Sequence, residues 1–290
     1  MWHAGGVDSD FGLFGPHSVT WKVHSEPIVT LGGLRSLYLQ ALHPRAVAGV
    51  AQNSAYRTDP WGRFNRTSEY VGTVLYGTTA EVEAAAGRIR RVHSRMRATD
   101  PRTGEVFRID EPDLLRWVHV TEVESFVTTA RRAGLSLTDD EVDQYYTEQR
   151  RAAEMIGLDP GSVPGTATEV DAYYESVRPG LGLTKEGAET AAFLTVPPIP
   201  SDWGGQAFRL ALTLGPARWG YLGVASTAIA LLPPWARKIY GGLGWSTTDV
   251  TASLSARGMR LLLQGFLATL PTEYRIPPMR RAALERAGLA

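Results

Sequence analysis

A chain of 290 residues with 43% hydrophobic and 21% charged side chains has the make-up of an ordinary globular protein with a substantial core. Thirty basic and thirty acidic residues cancel, so the electrostatic footprint of a nucleic-acid binder is missing. The sequence has no cysteine, which excludes thiolate-ligated haem, iron–sulfur clusters, cysteine zinc sites and disulfides together. The first thirty residues carry Asp8, Asp10 and Glu26 and lack the basic-then-apolar layout of a secretion signal, so a cytoplasmic protein is expected.

In chain order nearly every segment reads as helix. His3 and His17 lie in a glycine-rich opening segment, and His24 falls in an expected loop before Pro27. Pro27 opens a helix to Leu42, and Pro44 opens another to about Asn53, each at the favoured first position. Asp59-Pro60 caps a helix that Gly77 stops, and Thr78 to Glu81 is a capping box for the next, through Arg97. Glu105 to Ile109 is strand-like but too short to build a sheet. Asp110-Glu111-Pro112 starts a long helix ended by Gly134. Capping boxes at Thr138–Glu141 and Thr166–Glu169 start two more. Pro197-Pro198-Ile199-Pro200 is a stiff connector, and three or four helices follow. Connectors are short and apolar content is even, so residues 1–290 read as a single all-α domain.

The uncharged run from Trp219 to Ala236 is broken by Pro233 and Pro234, too early for a membrane span. A peripheral membrane contact through Trp219, Tyr221, Leu231, Leu232 and Trp235 is the expectation there.

Candidate chemistry concentrates in one hairpin. On its second helix Val82, Ala85, Ala86, Ile89, Val92, His93 and Met96 recur at helical spacing, while Arg88, Arg90, Arg91, Arg95 and Arg97 cover the rest. An imidazole on an apolar face needs a partner, because a buried polar group without one costs ~1–3 kcal/mol. A backbone carbonyl is one partner and a metal centre another. On the first helix Arg63, Arg66, Thr67 and Tyr70 share a face. The reversal at Gly77-Thr78 sets Arg63 and His93 at nearly the same height. Two guanidiniums and a hydroxyl opposite an imidazole suit an anionic group or an iron-bound oxygen species.

His119 shares an inward stripe with Leu115, Val123 and Phe126 and is a second candidate ligand. His43, before Pro44, reads as a joint residue. Glu122, Glu124 and the pair Asp139-Asp140 read as solvent-face and cap carboxylates. Phosphate-binding glycine loops, a Gly-x-Ser-x-Gly elbow, an HExxH zinc site and di-iron carboxylate spacing are all missing.

Arg63-Phe64-Asn65-Arg66-Thr67 followed by Arg91-Val92-His93 resembles the R-x-x-K-T and histidine elements of the rubber oxygenase catalytic domain, within the wider mpaB-type oxygenase family. Gln40-Ala41-Leu42-His43-Pro44, Trp117-Val118-His119 and Leu231 to Arg237 add to the resemblance, which spans roughly residues 11–240; helices of 248–290 would pack on that region. It implies a globin-like all-helical fold around a b-type haem. His93 would be the proximal iron ligand, Arg63, Arg66 and Thr67 would lie on the distal side, and His119 and Tyr70 would border the cofactor. A haem also requires the hairpin to splay at its His93 end.

Two departures matter. The family's distal lysine is Arg66 here, and a guanidinium stays protonated and does not cap iron. The family's upstream catalytic glutamate has no counterpart, since no acidic residue lies between Glu26 and Asp59. The resemblance therefore implies a haem-dependent oxygenase or peroxidase-type enzyme. It would use dioxygen or peroxide on a small apolar substrate, isoprenoid or lipid, rather than rubber. The alternative is a non-catalytic haem carrier or sensor.

Overall fold

The computed structural model describes residues 10–55, 58–199, 205–242 and 248–289. His3 and Asp8 lie outside the described residues, as does Pro200 at the end of the proline connector. Among the described residues the architecture is all-α, with one two-stranded ribbon.

At the centre, α2 (Val29–Gln40) packs along α6 (Pro112–Arg132). Gly32 makes this approach feasible: a Cβ there would stand 2.9 Å from the Ser125 carbonyl oxygen and 3.1 Å from the Phe126 Cα. One turn on, Arg35 is buried between the same helices, 2% exposed, with Glu124. Its guanidinium donates to both Glu124 carboxylate oxygens, to Ser125 Oγ at 2.7 Å and to the Leu231 carbonyl at 3.0 Å. Tyr174 of α8 (Ala167–Val177) donates to the same carboxylate. Buried charge is tolerated here because each guanidinium nitrogen has an acceptor and the charge has a counter-charge.

Around this pair stand α1 (Val19–His24), α3 (Pro44–Asn53), α7 (Asp139–Met155), α9 (Lys185–Thr195), α11 (Pro216–Ala230) and α12 (Pro234–Ile239). The short α10 (Gln206–Leu214) leans on α11, and α13 (Asp249–Thr269) crosses α11 and α6. Then come α14 (Thr272–Arg275) and α15 (Pro278–Arg286). The main core runs through Leu31, Leu39, Trp117, Val127, Tyr145 and Leu231. A second cluster joins Phe14, Trp21, Val74 and Tyr76, and a third joins Ala48, Ala98, Phe107 and Leu114.

The hairpin of α4 (Pro60–Tyr76) and α5 (Thr79–Arg95) stands on α7 through α5 and on α15 through α4. Its start signals act as the sequence implies. Asp59 accepts from the Gly62 amide, and Thr78 and Glu81 form a reciprocal capping box. The box at Thr166 is only half made, because the Glu169 carboxylate turns to the Gly165 amide and Arg150 instead. Gly134, with φ +93°, ends α6 as expected.

Three readings are corrected. His24 closes helix α1 rather than lying in a loop, with Nε2 3.0 Å from the Tyr145 hydroxyl. The strand-like segment pairs as β2 (Val106–Arg108) with β1 (Arg97–Thr99), because α5 ends at Arg95 and buries Ala98 against Phe107. Leu231 and Leu232 are fully buried, since α11 ends just before them and the turn drives both into the core; neither offers a membrane contact. No described helix is long and apolar enough to cross a membrane.

Candidate functional site

The α4–α5 hairpin is buried at its turn and more exposed at its other end. Near Gly77 the inner residues Val74, Leu75, Tyr76, Val82, Ala85 and Ala86 are buried. Trp21 helps fix this end: its Nε1 donates to the Leu75 carbonyl at 3.0 Å, and its ring meets Tyr76 edge-on. Farther along, Arg63, Tyr70, Ile89 and His93 continue the inner stripe but are only half-buried, and Phe64, Arg66, Thr67 and Val92 are exposed. Burial along the inner stripe thus fades from the turn towards the His93 end.

His93 sits in the last turn of α5. Its pKa is lowered by burial first; Asp110 pulls it back up and the Arg63 guanidinium pushes it further down. The Arg63 charge therefore reaches His93 across the hairpin. The ring is neutral at physiological pH, and it makes no hydrogen bond to the described residues, so a nitrogen lone pair is available.

The first-helix residues divide between two directions. Arg63 donates through Nη1 to Ser54 Oγ at the foot of α4. Arg66 is exposed and pairs with Asp59 across 3.2 Å. Thr67 is exposed and donates to the Arg63 carbonyl at 3.0 Å, which leaves its oxygen free to accept. Tyr70 faces inward, its phenol pushed up to about 12 by burial and by the charge of Glu122, with Arg90 opposing.

Glu122 is thus the group facing the hairpin from α6, and the reading of it as a solvent-face carboxylate is corrected. It forms no hydrogen bond or ion pair with the described residues, and burial raises its pKa to about 7. Its charge also bears on Tyr145 of α7. Glu124 is corrected too, being buried against Arg35. The sequence held a signal for the second correction: Arg35 lies among Leu31, Leu34 and Leu39 on an otherwise apolar helix and needs a carboxylate. No comparable signal marked Glu122.

His119 is buried as expected, and burial lowers its pKa to about 4. Its Nε2 has no hydrogen-bond partner. The ring borders a small cavity lined by Val123, Tyr146, Val163, Pro164 and Val170, on the α7–α8 side.

Among the described residues, no cluster of three or more His, Asp and Glu side chains gathers to hold a bare metal ion. A macrocycle that brings its own nitrogen ligands needs only one protein donor, and a lone neutral histidine fits that requirement.

An all-α chain with a single available imidazole on a helical hairpin is a class that several chemistries share, and the family comparison narrows it. The family model described as ER-bound oxygenase mpaB/B'/Rubber oxygenase, catalytic domain, matches residues 21–264. The chain belongs to this family of oxygenases. Neither the curated proteins nor the solved structures gave a match.

Proposed function

We propose that this protein is a haem b-dependent oxygenase acting with dioxygen or peroxide on a small apolar substrate of isoprenoid or lipid type. The observation that carries the reading is His93: a half-buried, neutral imidazole without a hydrogen-bond partner among the described residues, beside Arg63 at the more exposed end of the hairpin.

When bound, the haem iron supplies the activation of oxygen that no side chain performs. His93, fixed in the last turn of α5, would hold the haem iron through its imidazole. Arg63 keeps a permanent positive charge beside it, suited to negative charge building on oxygen or to a substrate carboxylate. Arg66 and Thr67 lie on the outer flank of the same helix. An exposed ion pair such as Arg66–Asp59 contributes about 0–1 kcal/mol, so Arg66 is released to an anion at little cost.

Tyr70 remains a phenol at neutral pH and donates a hydrogen bond. Glu122, with a pKa of about 7, exists in both protonation states there and holds or delivers a proton near Tyr70. Polyisoprene is not the proposed substrate, because no carboxylate occupies residues 27–58.

The test is oxygen uptake and product analysis by haem-loaded protein with squalene, an isoprenoid alcohol and an unsaturated fatty acid. Bound haem without turnover of any of them would favour the carrier reading instead.

A further inference from the structure

The carboxy-terminal half of α13 is exposed where a helix of its composition should be covered. Residues 261–270 contain no charged side chain, and Leu, Phe and Ala fall on every side of the helix. A helix that is apolar all round belongs in a core, an interface or a lipid phase. Here Leu261 and Phe266 are 67% and 60% exposed, Leu262 is 76% exposed, and the last buried residue of α13 is Ala256.

The helix is anchored just before this end. Arg260 donates through Nε and Nη2 to Glu26, each at 2.7 Å, and Gln264 joins the same carboxylate at 3.1 Å. Beyond that clamp α13 and α14 form a spur that carries exposed Tyr274 as well. Exposed leucines and a phenylalanine within one and a half turns, with a tyrosine on the next helix, concentrate apolar surface of the kind that marks an interaction site.

Charge identifies the partner. From residue 250 to 281 there are five arginines and one glutamate, in a chain whose total charge is zero. Arg260 is neutralised by Glu26. Arg275 instead donates to the carbonyls of Ala268 and Leu270, and Arg281 to those of Glu273 and Ile276. Arg280 donates to the Ser25 carbonyl, and Arg257 is exposed on the flank of α13. Carbonyl bonding fixes these guanidiniums in place but leaves their charge uncompensated. An uncharged apolar tip flanked along the chain by uncompensated cations matches a bilayer with anionic headgroups: the tip enters the acyl boundary while the arginines meet lipid phosphates. A second copy of the same chain would bring cations against cations.

We propose that the spur of residues 257–281 docks this protein peripherally on an anionic lipid surface. The proposal does not depend on the oxygenase reading.

The experiment is vesicle co-sedimentation of the full chain with phosphatidylcholine alone and with roughly one-third phosphatidylglycerol. The expected result is binding to the anionic vesicles only, weakened by high salt. Leu262→Glu with Phe266→Glu should reduce that binding on the order of a hundredfold. Arg257→Glu with Arg275→Glu should reduce it about tenfold or more. Melting curves establish that each variant is folded, and if the first is not, the second decides. No binding to anionic vesicles overturns the proposal. Equal binding to both vesicle types overturns the role of charge. A soluble dimer that the leucine–phenylalanine variant dissolves, without vesicle binding, assigns the spur to self-association.

Discussion

Glu122 and Glu124 stand two residues apart on α6 and point to opposite sides of it. Glu124 is held by Arg35, Tyr174 and Thr128, whereas Glu122 faces Tyr70 and Tyr145 with no partner among the described residues. A helix turns by about 100° per residue, so a spacing of two sends one carboxylate to Arg35 in the core and the other towards Tyr70 and Tyr145.

This division predicts opposite behaviour with pH. Burial raises the Glu122 pKa from 4.5 to about 7 in the folded chain. Its contribution to stability is therefore fully present below about pH 4.5 and lost as pH rises through about 7. Glu122→Gln removes that loss. Denaturant melts at a series of pH values should show the variant gaining on the parent by up to about 3 kcal/mol between pH 4.5 and 8. Parallel curves for the two proteins would mean that Glu122 titrates as it does in water.

Glu124 answers differently. Glu124→Gln leaves Arg35 buried without its counter-charge and should cost about 3–5 kcal/mol. Replacing both, by Arg35→Met with Glu124→Leu, should recover much of that loss, because the desolvation of two charges disappears with them. A double variant as unstable as the single one would show that the ion pair itself, not the stranded charge, carries the energy.

The Arg63–His93 neighbourhood can be tested without cofactor. Nuclear magnetic resonance titration of the His93 ring should give a pKa below that of a solvated histidine, and Arg63→Met should raise it. Arg66→Met should leave it unchanged, since Arg66 is turned towards Asp59. A response to Arg66 and none to Arg63 would reverse their assignments.

Much of the helical frame was legible because its punctuation is local. Proline at the first helical position, the capping boxes at Thr78 and Thr138, and Gly134 act within a turn of their own residues and mark most ends within one or two positions. The proximity of Arg63 to His93 was legible for the same reason, a tight reversal at Gly77. Long-range features were not. The burial of Glu124 depends on Arg35, 89 residues away, and that of Leu231 on the turn that ends α11 over Arg35. His24 closes a six-residue helix whose hold on the fold comes from Tyr145 and the Glu148 carboxylate, both on α7. Arg66 and Thr67 share a helical face with Arg63 in projection, yet the Asp59 carboxylate and solvent claim them.

The most direct measurement is the visible absorption spectrum of purified protein titrated with haem, for the parent, His93→Ala and His119→Ala. The account predicts a Soret band in the parent and in His119→Ala, and loss of most of it in His93→Ala, where the single axial donor is gone. A parent protein that takes up no haem, or a band that survives His93→Ala and disappears with His119→Ala, would contradict it.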